Sequence, residues 1–301
     1  MTRPIDRAIV TGAAGFVGRA LGAHLEAASA RLQLHEDDWR ERIGAADFAG
    51  ATVFHLAARV HDTGTQGEAD YIRDNVDKTR ELAQAAAAGG ARRLVFASTV
   101  KVNGEETRGR PFGPGDAPAP EDAYARSKWA AEQALAQVAR ETKLEVAIVR
   151  SPLVYGSAVK GNLLALLRLA DSPWPLPFGA LDNRRSFVHV DDLARLLIDC
   201  ATLPQAAGGT YFAAHTEAVS TAALVRAMRT HLGRPARLAH MPRAALEAAA
   251  AFAGQGERMR RLTRSLEVDA TQTAAALGWN AQIGFDAAVE DMVGAYREAT
   301  Q

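Results

Sequence analysis

A single cysteine in 301 residues, Cys200, leaves no internal disulfide to form, and no Cys/His spacing resembles a zinc site. A cross-linked or metal-built scaffold is excluded, and a reducing compartment fits. An excess of either charge is missing too: 35 Lys and Arg balance 35 Asp and Glu, so no global field invites nucleic acid or a membrane surface. Anionic ligands must be held by local charges. Long apolar runs are absent, because the alanine-rich stretch at 246–253 is too short and too near charges to cross a bilayer. The N-terminus carries Arg3 and Asp6 ahead of a short apolar strand and reads as no signal peptide, which makes a cytoplasmic location the expectation. Apolar residues, by contrast, are plentiful at 48%, enough for one large domain or two modest ones.

Short apolar runs at 8–11, 31–34, 52–57, 93–97 and 145–149 read as strands, and helical spacing begins again at Val17, Ala20, Leu21 and Leu25. Strands alternating with helices imply an α/β fold, a Rossmann-type doubly wound parallel sheet covered on both faces. After Ser151 the pattern changes. A helix is expected at 161–170, a strand at 186–190 and a helix at 192–200, followed by Ala- and Arg-rich helical segments. The expected division is a dinucleotide-binding domain over 1–155, to which 186–202 returns, and a smaller, mainly helical C-terminal substrate lobe from 156–185 and 203–301. The segment 104–120, rich in Gly and Pro, is the clearest long irregular stretch.

Gly12, Gly15 and Gly18 stand in TGAAGFVG between the first strand and the first helix. A dinucleotide site needs glycines there for a tight turn and close backbone approach, and the helix N-terminus, with Phe16 and Val17, then faces the pyrophosphate. The plain alternative is a tight turn that binds nothing. Glu36, eighteen positions after Gly18, is the candidate for the adenosine ribose hydroxyls and points to NAD, with NADP left open; it also reads as part of a solvated acidic loop. Tyr124 and Lys128 lie four residues apart in YARSK, on one helical face, where an ammonium lowers the pKa of a phenol and makes it usable as an acid or base. Ser98 and Thr99 follow the fourth strand, at the end where ligands of open α/β sheets collect, though either hydroxyl can also cap a turn.

These residues together resemble the extended short-chain dehydrogenase/reductase family, the NAD-dependent epimerases, dehydratases and ketoreductases of nucleotide sugars. TGAAGFVG, HLAARVH at 55–61, DNVDKT at 74–79, FASTVKVNG at 96–104, YARSK and RSFVHVDDLA at 185–194 occur in the family's order along nearly the whole chain. The resemblance implies that Tyr124 is the acid/base, that Lys128 holds the nicotinamide ribose and tunes the phenol, and that Thr99 bonds the sugar C4 oxygen. Ala57 and Asn75 match positions lining the cofactor, and Arg185 matches an arginine that grips the nucleotide diphosphate. Asn162, Lys101, Arg261 and Arg264 are further substrate-side candidates. The segment from Leu34 to Thr52 is shorter than the family's usual second and third strands with their connecting helix.

The family's 4,6-dehydratases carry Asp-Glu after the catalytic Thr; Val100 and Lys101 stand there here and supply neither acid nor base, so dehydration is rejected. Resemblance is strongest to UDP-glucose 4-epimerases and to reductases of UDP-4-keto sugars in polysaccharide precursor synthesis. The expectation is therefore NAD(P)-dependent chemistry at C4 of a UDP-sugar, with no metal and an implied homodimer. The competing reading is a redox-sensing module of the same fold without catalysis, which has no need of Thr99, Tyr124 and Lys128 together.

Overall fold

The computed structural model describes residues 2–28, 30–35, 39–60 and 67–300. The expected apolar runs are strands β1 (Arg7–Thr11), β2 (Arg31–His35), β3 (Thr52–His55), β4 (Arg93–Thr99) and β5 (Glu145–Ser151). Further on come β6 (Leu153–Tyr155), β7 (Phe187–His189) and β8 (Thr210–Phe212). Six strands make one sheet in the order β2-β1-β3-β4-β5-β8, every neighbouring pair parallel, while β6 and β7 form a separate parallel pair. Parallel pairing demands crossovers. Helices α1 (Phe16–Ala27), α2 (Glu68–Tyr71), α3 (Lys78–Ala88), α4 (Ala123–Glu141), α5 (Gly161–Ala170) and α6 (Val190–Thr202) precede the final strand.

Alternation along the strands sorts the core into two layers. Val10, Phe54, Val95 and Val149 face Leu21 and Leu25 of α1 and Leu193 and Leu197 of α6. Ile9, Val53, Phe96 and Val146 point the other way, onto Leu82 and Ala86 of α3 and Leu135 and Val138 of α4. The sheet is thus doubly wound, and the strand order reverses at β1, whose neighbours are β2 and β3. That reversal places a crevice beside the turn that follows β1.

The remaining helices are α7 (Thr221–His231), α8 (Arg243–Phe252), α9 (Gly256–Thr263), α10 (Thr271–Leu277) and α11 (Phe285–Thr300). A second core joins Leu163 and Leu167 of α5, Phe187 of β7, Val225 and Met228 of α7, Leu246 of α8, and Val289 and Met292 of α11. The expected assignment of 203–301 to a separate lobe is corrected in one respect: β8 lies inside that stretch and closes the edge of the main sheet on β5. Gly208 N–H donates to Val146 O at 2.7 Å and carries the chain into register. Between β2 and β3 the described residues form two 3-10 turns, Trp39–Glu41 and Ala45–Phe48, in keeping with the short spacing in the sequence. The irregular stretch at 104–120 is pinned by backbone bonds from Thr107 to Ser265 O, Phe112 to Glu267 O and Ala119 to Val102 O, each 2.9 Å.

Asp192, fully buried in the first turn of α6, accepts the backbone N–H groups of Gln282 and Ile283 at 3.1 Å each and pairs with Arg195. It stitches the segment before α11 to the sheet-covering helix. Asp192→Ala leaves two donors without a partner and should lower unfolding free energy by about 3 kcal/mol. Urea titration would show this as a reduced midpoint at unchanged slope.

Candidate active site

The turn after β1 is built by exclusion of side chains. Gly12 has φ +74°, and a Cβ there would come within 2.7 Å of Ala57 N at the end of β3. A Cβ at Gly18 would meet Gly12 O at 2.2 Å, and one at Gly15 would meet the same oxygen at 2.9 Å. Helix α1 starts from Gly15 with no side-chain cap and no acidic residue in its first turn. The N–H groups of Phe16, Val17 and Gly18 are therefore open to an anion, with the positive end of the helix dipole behind them. These residues fit a dinucleotide pyrophosphate. Beside them a cavity of about 750 Å³ runs along Gly18, Arg19, Gly22, Ala23 and Glu26 to Leu34 and Arg42. Arg19 donates to Ala14 O at 2.7 Å and is held against the turn. Glu36, expected at the ribose, lies outside the described residues, as does His61 of the HLAARVH motif.

From β3 a chain of hydrogen bonds leads across the floor. His55 Nδ1 lies 2.6 Å from Thr11 Oγ1 and Nε2 lies 2.8 Å from Thr79 Oγ1, which itself donates to Asn75 O at 2.7 Å. The Thr79 hydroxyl therefore accepts from His55, which assigns the proton to Nε2 and makes Nδ1 the acceptor for Thr11. Burial and the Lys128 charge push His55 down to about 3, so it is neutral. Asn75 sits in a π-helical turn, Ile72–Asp77, between α2 and α3. Its amide accepts Arg59 N–H at 2.7 Å and donates to Arg59 O at 3.0 Å and Ser127 Oγ at 2.9 Å. Expected to line the cofactor, Asn75 clamps the backbone after β3 to α4.

Asp122 opens α4, its carboxylate accepting Ala125 N–H at 2.7 Å, and the helix brings Lys128 against Phe96 of β4, with Tyr124 one turn earlier. Lys128 is fully buried, its Nζ 3.8 Å from the centre of the Phe96 ring. Burial lowers it to about 7, against an opposing pull from Glu132. The Tyr124 phenol is raised, first by burial and then by Asp122 and Tyr71. The sequence expectation is that Lys128 lowers this phenol; the direction found is upward, with burial the largest cause and the Asp122 and Tyr71 charges adding to it.

Ser98 and Thr99 part company here. Ser98 Oγ donates to Glu132 Oε1 at 2.5 Å, whereas Thr99 Oγ1 accepts Lys101 N–H at 3.3 Å and keeps its proton for another acceptor. Glu132, one turn beyond Lys128, is 2% exposed and holds Arg150 of β5 through Nε at 3.1 Å and Nη2 at 2.6 Å; Arg150 Nη1 reaches Asn103 Oδ1 at 3.0 Å. This network escaped the sequence reading, and the only signal for it was the spacing of Glu132 from Lys128.

On the substrate side Arg185 is buried, donates Nη1 to Arg264 O at 3.0 Å, and keeps an Nε with no hydrogen-bond partner among the described residues. Burial pushes it down to about 10, far above neutrality, so it remains a cation. Lys101, expected to meet substrate, has its ammonium taken by Glu105 at 2.6 Å and Asp122 at 2.5 Å. Asn162 is exposed in the first turn of α5, and no hydrogen bond joins it to Tyr124 or Arg185 among the described residues. Arg264 lies 3.9 Å from Glu106, and Arg261 is exposed on α9.

A family model described as NAD dependent epimerase/dehydratase matches residues 8–214, more than half of the chain. The chain belongs to that family. Within the NAD dependent epimerases, a UDP-glucose 4-epimerase of Vibrio cholerae is 33% identical over 293 residues, covering 90% of this chain and 89% of that one. A dTDP-4-dehydrorhamnose reductase of Mycobacterium tuberculosis is 32% identical over 259 residues, 80% of this chain and 82% of its own. Among solved structures, MoeE5 in complex with UDP-glucose and NAD superposes with a TM-score of 0.79 at 25% identity, over 98% of this chain and 100% of that one. NAD is thus the family's cofactor, and its hydride exchange is what the glycine turn and Lys128 would hold in place.

A buried ammonium in this epimerase fold costs stability. The Lys128 value lies below its ordinary 10.5, so folding expels a proton between about 7 and 10.5; the cost is whole below that window and disappears as pH rises through it. Lys128→Met should raise the melting temperature of the cofactor-free protein by roughly 3 °C well below neutrality and by nothing above about pH 10. Melting curves at the two extremes check this.

Proposed function

We propose that the chain is an NAD-dependent 4-epimerase of a UDP-linked hexose. What supports this is the similarity to a UDP-glucose 4-epimerase over 90% of the chain, together with Thr99 ending β4, Tyr124 and Lys128 one turn apart on α4, and the Lys128 ammonium lying 3.8 Å from the ring of Phe96 on β4. Bound NAD would supply reversible hydride transfer at the sugar carbon. Tyr124 would take the C4 hydroxyl proton as hydride leaves and give it back as hydride returns; burial raises the phenol, so to serve as that base it must first lose its own proton, which the neighbouring Lys128 ammonium and the positive charge of oxidised NAD would favour. The free Thr99 proton holds the same oxygen, and Lys128 bonds the nicotinamide ribose and adds positive potential where alkoxide charge develops. Arg185, a buried cation with an unbonded Nε, receives the diphosphate. Val100, buried behind Thr99, offers no acid for dehydration.

A 4-keto-sugar reductase is the second reading, favoured by the similarity to the mycobacterial reductase. The two differ in whether cofactor is retained or consumed. The purified protein should interconvert UDP-glucose and UDP-galactose without added reductant; net loss of reduced-cofactor absorbance with a 4-keto sugar supports the reductase instead. Tyr124→Phe should cut kcat about a hundredfold or more while NAD affinity stays within about threefold. Near-normal turnover by this variant would remove Tyr124 from the chemistry.

A further inference from the structure

Helix α8 has the wrong side out. Its buried positions are Leu246 and Ala250, which seat it on the lobe core. The opposite face is Ala244, Ala245, Ala248, Ala251 and Phe252, all exposed, without one polar side chain. Phe252 is 97% exposed, and Met241 just before the helix is 37% exposed. Surface helices elsewhere in the molecule present charge, as α1 does with Arg19 and Glu26.

Charge is gathered beside this apolar face. Residues 241–264 hold five arginines and two glutamates, net +3, in a chain whose total is zero. Arg243 is paired with Glu247 at 2.8 Å and Arg260 with Glu257, and Glu106 from outside the stretch lies 3.6 Å from Arg243 and 3.9 Å from Arg264, offsetting one of these charges. Arg258 donates to the neutral Gln255 at 3.0 Å, and neither it nor Arg261 forms an ion pair among the described residues, both being exposed on α9. The neutrality that argues against a membrane-surface partner for the whole chain does not hold for this hairpin.

We propose that α8 and α9 form a peripheral docking surface for an anionic lipid bilayer. The alanine face and Phe252 enter the boundary between headgroups and acyl chains, and Arg258 and Arg261 meet lipid phosphates. A second copy of the chain is a poorer occupant. A ten-residue helix is about 15 Å long and about 10 Å wide, a footprint of about 150 Å², against about 800 Å² per partner in a stable interface. A bilayer sets no such minimum area, because apolar insertion and phosphate pairing each contribute to binding.

Vesicle sedimentation of the full chain tests this, with phosphatidylglycerol-containing vesicles at low salt beside pure phosphatidylcholine. The protein should sediment with the anionic vesicles only. Phe252→Ser and Ala248→Glu, whose circular dichroism melts should match the parent, each reduce the bound fraction about tenfold, and Arg258→Glu makes binding fail at lower salt. In Phe252→Trp, the added emission should shift to the blue on mixing with anionic vesicles. Parent and Phe252→Ser binding alike, or the parent ignoring anionic vesicles, overturns the proposal. So does a concentration-dependent dimer in sedimentation velocity that Phe252→Ser dissolves, since that assigns the face to a second copy.

Discussion

A carboxylate and a guanidinium facing each other out of water, Glu132 and Arg150, hold the site together. The pair joins α4 to β5, and through Ser98 and Asn103 it also fixes the end of β4 and the turn that follows. Such a pair adds little net stability, since desolvation takes back most of the attraction. Its geometry, however, admits one register: two nitrogens of one guanidinium must meet both oxygens of one carboxylate. Tyr124 and Lys128 lie on the same helix as Glu132, so that register also sets their position relative to Thr99.

Around this pair the ionisable groups are arranged so that the resting site carries little charge. His55 is neutral by burial, Tyr124 is held protonated, and Lys128 is brought near the point where its proton is loosely kept. A site in this condition gains from an incoming ligand with hydroxyls and a diphosphate, because the ligand supplies partners that protein groups do not. Arg185 is the exception and remains cationic, as the proposed diphosphate contact requires.

Much of this was legible from spacing. Strand–glycine–helix order, the Tyr124–Lys128 interval and Thr99 at a strand end are local features, and local features survive folding. What stayed hidden depends on distant partners. Glu132 reads as an ordinary helix glutamate until Arg150, eighteen residues on, is seen to bury it. Lys101 looks free for a substrate until Asp122, twenty-one residues away, closes on it. Strand β8 is three residues long, below the length at which alternation is detectable, and exists because β5 offers it an edge. The rise of the Tyr124 phenol comes first from burial, which adjacency in sequence does not show.

The π-helical turn at Ile72–Asp77 makes chain length itself part of the design. Each residue of an α-helix advances the side chains by about 100°, so a turn with one residue more than its neighbours offsets everything before it from everything after. Asn75 grips the Arg59 backbone and Thr79 completes the His55 relay only with that offset in place. Removing any single residue there would leave composition almost unchanged yet aim one of the two side chains at the wrong neighbour. A relative that keeps both contacts must therefore keep the surplus residue as well.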